Sequence, residues 1–148
     1  MAKKDYDDLT QLLNDLQDEI STAMLTTVDK EIKEVYKEKV DEAYNSYSPN
    51  YYIRRYNKDG SFGDEDMWES SLDVKRGSLE YTLTNEAKAV GEDYGERLDS
   101  IIENGYYQYN PNPGKREVYK NTQDELESRN IVEKALEDTL KKSGWDIN

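Results

Sequence analysis

The sequence contains no cysteine and no histidine. Without cysteine the chain can form neither disulfides nor thiolate metal ligands, a composition typical of proteins made and kept in a reducing cytoplasm. Without histidine it also lacks the commonest metal ligand and the commonest acid–base catalyst. Together these two absences exclude most metalloenzyme and hydrolase mechanisms.

Long apolar runs are missing as well. No apolar core follows Lys3 and Lys4, and no run approaches the roughly 18 consecutive apolar residues of a membrane-spanning helix. We therefore expect neither a signal peptide nor a membrane span.

Basic charge is scarce relative to acidic charge. The chain has 20 Lys and Arg against 33 Asp and Glu, a formal net charge of −13. Such a surface repels both phosphate backbones and anionic lipids. The sequence therefore predicts neither tight nucleic-acid binding nor a membrane partner.

A chain of 148 residues has the usual size of one domain, and we expect a single domain over 1–148. The patterns along it predict an α+β fold in which a small antiparallel sheet with a β-hairpin carries a long N-terminal helix and two further helices packed on it. The expected segments are a long helical segment at 1–46, a strand, loop and hairpin at 51–84, a helix at 92–104 and a C-terminal helix at 122–143.

The N-terminal segment has apolar residues at steps of three and four, which predicts one buried helical face. Its stripe consists of Leu9, Leu12, Leu13, Leu16, Ile20, Met24, Val28, Ile32, Val35, Tyr36, Val40 and Ala43. A continuous helix of this length would extend about 60 Å, too far for a compact domain of this size. We expect a break or bend near Thr26 and Thr27, or a segment that projects onto a neighbouring subunit.

Two later elements have clear signals. Leu72 and Val74, and then Leu79, Tyr81 and Leu83, alternate with polar residues, which predicts a hairpin with one buried face. The sequence from Thr122 to Glu125 resembles a capping box that begins the last helix, and Gly144 is placed to end it.

The acidic loop that follows the predicted strand invites a calcium interpretation. Asn57, Asp59 and Gly60 occupy the third, fifth and sixth positions of an EF-hand pattern, but Arg55 and Asp66 occupy the first and twelfth. Arginine would place a cation at the metal, so we predict no metal site. We interpret the remaining carboxylates as charges on solvent-exposed faces of the protein. No glycine-rich phosphate loop is present either, so we predict no catalytic residue and no cofactor.

Aromatic and arginine side chains gather in the middle of the chain, and these residue types dominate interface hot spots. The predicted partner-interface residues are Tyr52, Arg54, Arg55, Tyr56, Phe62, Met67 and Trp68. The alternative is a strand that packs half of its residues into the core, with Ile53 inward. The polar loop at 57–66 is predicted to serve joining to a partner and not folding.

The order of elements resembles the minor tail-completion, or head–tail joining, family of long-tailed bacteriophages. The sequence Met67-Trp68-Glu69-Ser70-Ser71-Leu72 stands at the family's Leu-x-x-Ser-like strand. Tyr94-Gly95 leading to Ile101-Ile102-Glu103-Asn104-Gly105 stands at its helix with an acidic-x-Gly turn, and Ala135 to Lys142 stands at its closing Leu-Lys-like helix. Lys115-Arg116-Glu117-Val118-Tyr119 departs from the family's Arg-Pro-Phe corner.

The resemblance implies a non-enzymatic structural protein of the virion neck, assembled in the bacterial host cytoplasm. Its partners would be further copies in a six- or twelve-fold ring, the phage connector and the tail-tube or terminator proteins, with DNA passing through the ring and no cofactor bound. Two other classes remain open from the residues alone. One is an acidic DNA-mimic inhibitor, and the other is a carboxylate-dependent hydrolase with two buried acids.

Overall fold

The computed structural model describes residues 9–45, 60–75, 78–88, 97–104 and 116–145. Its elements are α1 (Leu9–Ala23), a π-helical segment (Met24–Val28), α2 (Asp29–Asn45), a short 3-10 turn (Glu65–Met67), β1 (Trp68–Lys75), β2 (Ser78–Asn85), α3 (Leu98–Asn104), α4 (Val118–Ser128) and α5 (Ile131–Lys142). β1 and β2 form a two-stranded antiparallel hairpin. The expected α+β class, with a long N-terminal helix and further helices packed on a hairpin, is confirmed.

The expected irregularity near Thr26 takes the form of a π-helical segment and not a chain break. Ile20, Met24, Val28 and Ile32 follow one another at steps of four residues, whereas an α-helix turns once in 3.6 residues. Each step of four therefore drifts by about 40° around an ideal helix. The wider i→i+5 turn takes up this drift, and the Thr26 hydroxyl donates to the carbonyl of Thr22 at 2.7 Å.

The contacts along the chain divide into two compact units. The first unit comprises 1–33, 70–82 and 126–148, and the second comprises 34–69 and 83–125. The expectation of a single domain over 1–148 stays a prediction.

In the first unit, α1 and the π-helical segment pack against α5. Two residues after the end of α5, Gly144 has φ 96° and donates its backbone N–H to the carbonyl of Lys141 at 3.1 Å. Just beyond it, the indole Nε1 of Trp145 donates to Glu19 Oε2 at 2.5 Å. The predicted glycine stop is therefore present, and the end of α5 lies beside Glu19 of α1.

In the second unit, a buried cluster forms the core between α2, the hairpin base, α3 and α4. Its buried members are Tyr36, Val40, Ala43, Phe62, Trp68, Ile102 and Val118, and Tyr44, Met67, Leu83, Leu98 and Tyr119 pack partly buried against them. The corner that departs from the resembled family also docks here. Arg116 donates its Nη1 to the carbonyl of Ala43 at 2.9 Å, and Val118 is buried.

The helix expected at 122–143 is two helices, and the capping-box interpretation of Thr122 was wrong. α4 already begins at Val118, because the Glu103 carboxylate accepts the backbone N–H groups of Tyr119 at 2.8 Å and Lys120 at 3.1 Å. Thr122 is buried inside α4, where its hydroxyl donates to the carbonyl of Val118 at 2.7 Å. Asn130 separates the two helices in the left-handed conformation, with φ 51°, which asparagine tolerates better than most residues.

Two other expected segments are described only in part. Of the helix expected at 92–104, the structure describes α3 from Leu98, preceded by an isolated antiparallel bridge between Lys88 and Arg97. The strand expected at the start of 51–84 lies outside the described residues. β1 begins at Trp68, inside the sequence that resembles the phage-family strand, and is longer than the alternation of Leu72 and Val74 suggested.

Candidate functional site

The structure divides the seven predicted interface residues. Tyr52, Arg54, Arg55 and Tyr56 lie outside the described residues, so their predicted role stays a prediction. The other three are Phe62, Met67 and Trp68, and all three side chains are buried or partly buried. Phe62 and Trp68 are 4% and 3% exposed, and Met67 packs partly buried against the same core.

The aromatic rings of the second unit surround Tyr36, which is fully buried. Trp68 meets it edge-on at 4.8 Å between ring centroids, and Phe62 does so at 6.2 Å. Tyr119 stacks on it at 5.7 Å with an interplanar angle of 17°. These are favourable aromatic geometries within one chain. Phe62 and Trp68 therefore belong to the core, and their predicted partner contact stays a prediction.

The loop that was predicted to serve joining is fixed to this core by its backbone. The Phe62 carbonyl accepts from Trp68 Nε1 at 3.0 Å and from Asn85 Nδ2 at 2.6 Å. The backbone N–H of Gly63 donates to the hydroxyl of Tyr44 at 2.9 Å. The described part of the loop, from residue 60 onward, is therefore structural, and the expectation that it takes no part in folding was wrong there.

The Asp64 carboxylate illustrates the same role. Its Oδ2 accepts the backbone N–H of Gly60 at 2.9 Å, and its Oδ1 accepts that of Asp66 at 3.1 Å. Both oxygens thus serve a local turn. Among the residues that the structure describes, no group of three or more acidic side chains is placed to hold a metal ion.

A buried polar network centres on Asn85, which is fully buried. Its Nδ2 donates to the hydroxyl of Tyr36 at 3.1 Å, and its Oδ1 accepts the backbone N–H of Ala87 at 3.1 Å. Its own backbone N–H donates to the hydroxyl of Tyr119 at 2.8 Å, and that hydroxyl donates to Asp99 Oδ2 at 2.8 Å. Burial raises the pKa of both tyrosines above the usual range, and for Tyr119 the hydrogen bond to Asp99 raises it further.

Asp99 is the only acid in the buried set of the described residues. Arg97 Nη2 contacts its Oδ2 at 2.8 Å and also donates to the carbonyl of Asn85 at 2.8 Å. A hydrolase that works with carboxylates alone needs two such acids facing each other. The geometry around Asp99 is that of a structural ion pair.

A second polar cluster, in the first unit, joins the start of α2 to the hairpin. Asp29 Oδ1 accepts hydrogen bonds from the hydroxyls of Ser70 and Tyr81, and its Oδ2 pairs with Lys33 Nζ at 3.2 Å. Burial acts to raise the pKa of Asp29, but the hydrogen bonds from Ser70, Tyr81 and Lys33 together lower it. The pKa of Tyr81 is raised by burial and by its bond to Asp29. Both oxygens of the carboxylate are engaged, so the cluster holds structure together.

The remaining candidate is a surface. Four large apolar side chains of the described residues are exposed, and all belong to the first unit: Leu9 at 67%, Leu13 at 55%, and Leu25 and Val74 at 46% each. The sequence pattern placed Leu9 and Leu13 on the buried stripe of the first helix and Val74 on the buried face of the hairpin, and so missed this surface. Among the described helices, every one is too short or too polar to cross a bilayer. Leu9 and Leu13 form an exposed apolar pair near the start of α1.

Comparison with known proteins gives one match. A protein-family model named YomN matches residues 8–142, so the chain belongs to the YomN family. The family name is that of a Bacillus phage-derived protein, which associates the chain with bacteriophages. No curated protein and no solved structure matches the chain.

Proposed function

We propose, from its membership of the YomN family, that this chain is a structural protein of a tailed-phage virion. Its position would be the neck, where a ring of six or twelve copies joins the connector to the tail tube or its terminator protein. The observation that carries the proposal is the family match over residues 8–142. The order of helix, hairpin, helix and closing helices supports the finer assignment through its resemblance to the tail-completion family.

The chemistry of the described residues agrees with a role without catalysis. Two buried polar residues, Asn85 and Asp99, are engaged in hydrogen bonds inside the core. The large apolar side chains of greatest exposure are on α1, the π-helical segment and the hairpin. Buried polar groups that are bonded inside the core and a few large apolar side chains exposed at the surface suit a part that works by contact.

The acidic DNA-mimic alternative gains no support from α2. Lysines along this helix pair with neighbouring acids: Lys33 with Asp29 at 3.2 Å, Lys39 with Glu42 at 3.3 Å, and Lys37 with Glu65 at 3.8 Å. A mimic of a phosphate backbone needs a continuous row of negative charge. These cations interrupt the row.

A phage that encodes this chain provides the test. Deleting the gene should leave DNA-filled heads and free tails that fail to join, because each half is built without the neck part. Adding the purified chain to that lysate should restore joined, infectious particles, and a buffer addition serves as the control. Joined particles of normal infectivity in the deletion strain would refute the neck role, and inhibition of a restriction nuclease by the purified chain would favour the mimic.

A further inference from the structure

The first turns of α1 expose two leucines on one face. Leu9 and Leu13 are four residues apart, a spacing that places side chains next to each other on a helix. They are 67% and 55% exposed, the two largest exposures among the large apolar residues described. These two residues are called the leucine patch below.

The leucine patch continues a stripe that is already used for helix packing. Leu16, Ile20 and Ala23 follow on the same face of α1, and Ala23 is buried. α5 packs against α1 and ends beside Glu19, where Trp145 donates to the Glu19 carboxylate. The stripe thus extends beyond the end of the helix that covers it, and a second helix is the element that would continue the cover.

The hairpin lies beside α1 one helical turn after Leu13. Gln17 Nε2 donates to the carbonyl of Lys75 at 3.4 Å, which brings the end of β1 beside α1. Val74, at this end of the hairpin, is 46% exposed. Exposed apolar side chains of the first unit are therefore present on α1 and on the hairpin.

Charge decides what kind of helix fits. Residues 5–29 contain no lysine or arginine, and their acids are Asp5, Asp7, Asp8, Asp15, Asp18, Glu19 and Asp29. Asp15 and Glu19 lie four residues apart along one flank of the stripe. A partner helix with basic residues beside its apolar stripe would be attracted, and an acidic one would be repelled.

A second copy of this chain fits poorly for the same reason. Packed helices lie about 8–10 Å apart, which is close to the Debye length of about 10 Å near 0.1 M salt, so the acids of two leucine patches would repel each other with only partial screening. A head-to-tail contact would need a different apolar patch on the neighbouring copy. Among the residues described, the large exposed apolar side chains all lie in the first unit.

From the exposure, the continuity and the charge together, we infer that the leucine patch docks an amphipathic helix of another protein. That helix has an apolar stripe flanked by lysine or arginine. The inference rests on the proposed function for its biological setting, in which the partner is a neighbouring protein of the phage neck. The chemistry of the contact follows from α1 alone.

The test uses the full chain and three synthetic peptides of about 14 residues, long enough for about four helical turns. One peptide has a leucine stripe flanked by lysines, the second has glutamate in place of lysine, and the third has the composition of the first with its leucines scattered. Fluorescence anisotropy of labelled peptide measures binding. The lysine peptide should bind at one per chain and more weakly as salt is raised.

Variants locate the contact. Leu9→Gln combined with Leu13→Gln leaves the charge unchanged and should weaken binding of the lysine peptide by at least about tenfold. Leu25→Gln is the matched control, because it changes the same residue type about 18 Å further along the helix from Leu13, and it should bind as the unaltered chain does. Circular dichroism melting should be the same for both variants, since all three leucines are exposed.

Three results would overturn the inference. The first is that the scattered peptide binds as well as the lysine peptide, or that the double glutamine variant binds the lysine peptide as well as the unaltered chain does. Either result would mean general charge attraction. The second is equal binding of the glutamate peptide, which would remove the role of charge. The third is self-association of the free chain that the double variant abolishes, which would assign the patch to a second copy. None of these results depends on whether the deletion strain joins its heads and tails, so the two proposals fail separately.

Discussion

The side-chain amide of Asn85 donates a hydrogen bond to the hydroxyl of Tyr36 at 3.1 Å, and both residues are fully buried. The same Nδ2 also donates to the Phe62 carbonyl, and the Oδ1 accepts from Ala87. One side chain therefore ties a helix, a loop and the end of a strand together.

Replacing Asn85 with alanine should lower the free energy of unfolding by about 3 kcal/mol or more, because it leaves buried donors and acceptors without partners at about 1–3 kcal/mol each. Urea denaturation followed by circular dichroism measures the change. Asn14→Ala is the control, since Asn14 is exposed on α1, and it should shift the value by less than about 0.5 kcal/mol. A loss below about 1 kcal/mol for the Asn85 variant would mean that water replaces the network.

Phe62→Ala should cost about 3–5 kcal/mol of stability, because it empties a packed site beside Tyr36. The matched control is Val74→Ala, which removes apolar atoms from a side chain that is 46% exposed and should cost less than about 1 kcal/mol. Thermal melting of both variants decides. Equal melting temperatures for the Phe62 variant and the unaltered chain would contradict the structural role of this loop and would favour its predicted role in joining to a partner.

Alkaline pH should unfold the protein. Tyr36, Tyr81 and Tyr119 have pKa values raised in the fold, first of all by burial. Their neutral forms therefore contribute stability that is fully present below the unfolded pKa of about 10 and is lost as the pH rises above it. In a spectrophotometric titration, part of the tyrosine absorbance change should appear only together with loss of circular dichroism. A single reversible wave in a folded protein would contradict the burial of these hydroxyls.

Ring formation, if it occurs without partners, should strengthen as salt rises from low to moderate concentration. Each copy has a formal charge of −13, and the repulsion between copies is screened once the Debye length falls to about 10 Å near 0.1 M salt. Sedimentation velocity across a salt series measures the oligomers. Rings that dissociate as salt is raised would instead indicate complementary ion pairs between copies. The expected direction is opposite to that for the lysine peptide on the leucine patch.

The helical period and the strand alternation predicted the parts of the fold that depend on neighbours in sequence. The stripe from Leu9 to Ala43 gave the first helix, and Gly144 marked the end of the last one. The π-helical segment also had a signal, the repeated step of four from Ile20 to Ile32. The signal is the difference between the four-residue step of the stripe and the 3.6 residues of an α-helical turn. It is recognised only by following how the stripe rotates around the helix from one residue to the next.

Contacts between residues far apart in sequence were beyond such patterns. The true cap of α4 is Glu103, which lies 16 positions before Tyr119 and cannot be distinguished by sequence from any other glutamate. The same holds for Phe62 and Trp68, because an aromatic residue looks alike in a hot spot and in a core. Leu9 was assigned to a buried face because its period was right, but a period does not show where the covering helix ends.

The π-helical segment fixes how the two ends of the first helix are rotated about their common axis. Within Met24–Val28 the chain spends an additional residue on one turn, and an α-helix advances about 100° per residue. Deleting one residue there would restore a regular α-helical turn and leave Leu9 and Leu13 close to their present orientation relative to Val28 and Ile32, whereas deleting one residue from the regular part of α1 after Leu13 would rotate the two leucines by about that angle. The leucines would then point away from the side that α5 covers. Insertions and deletions in this helix are thus constrained by residue count even at positions where no side chain touches anything.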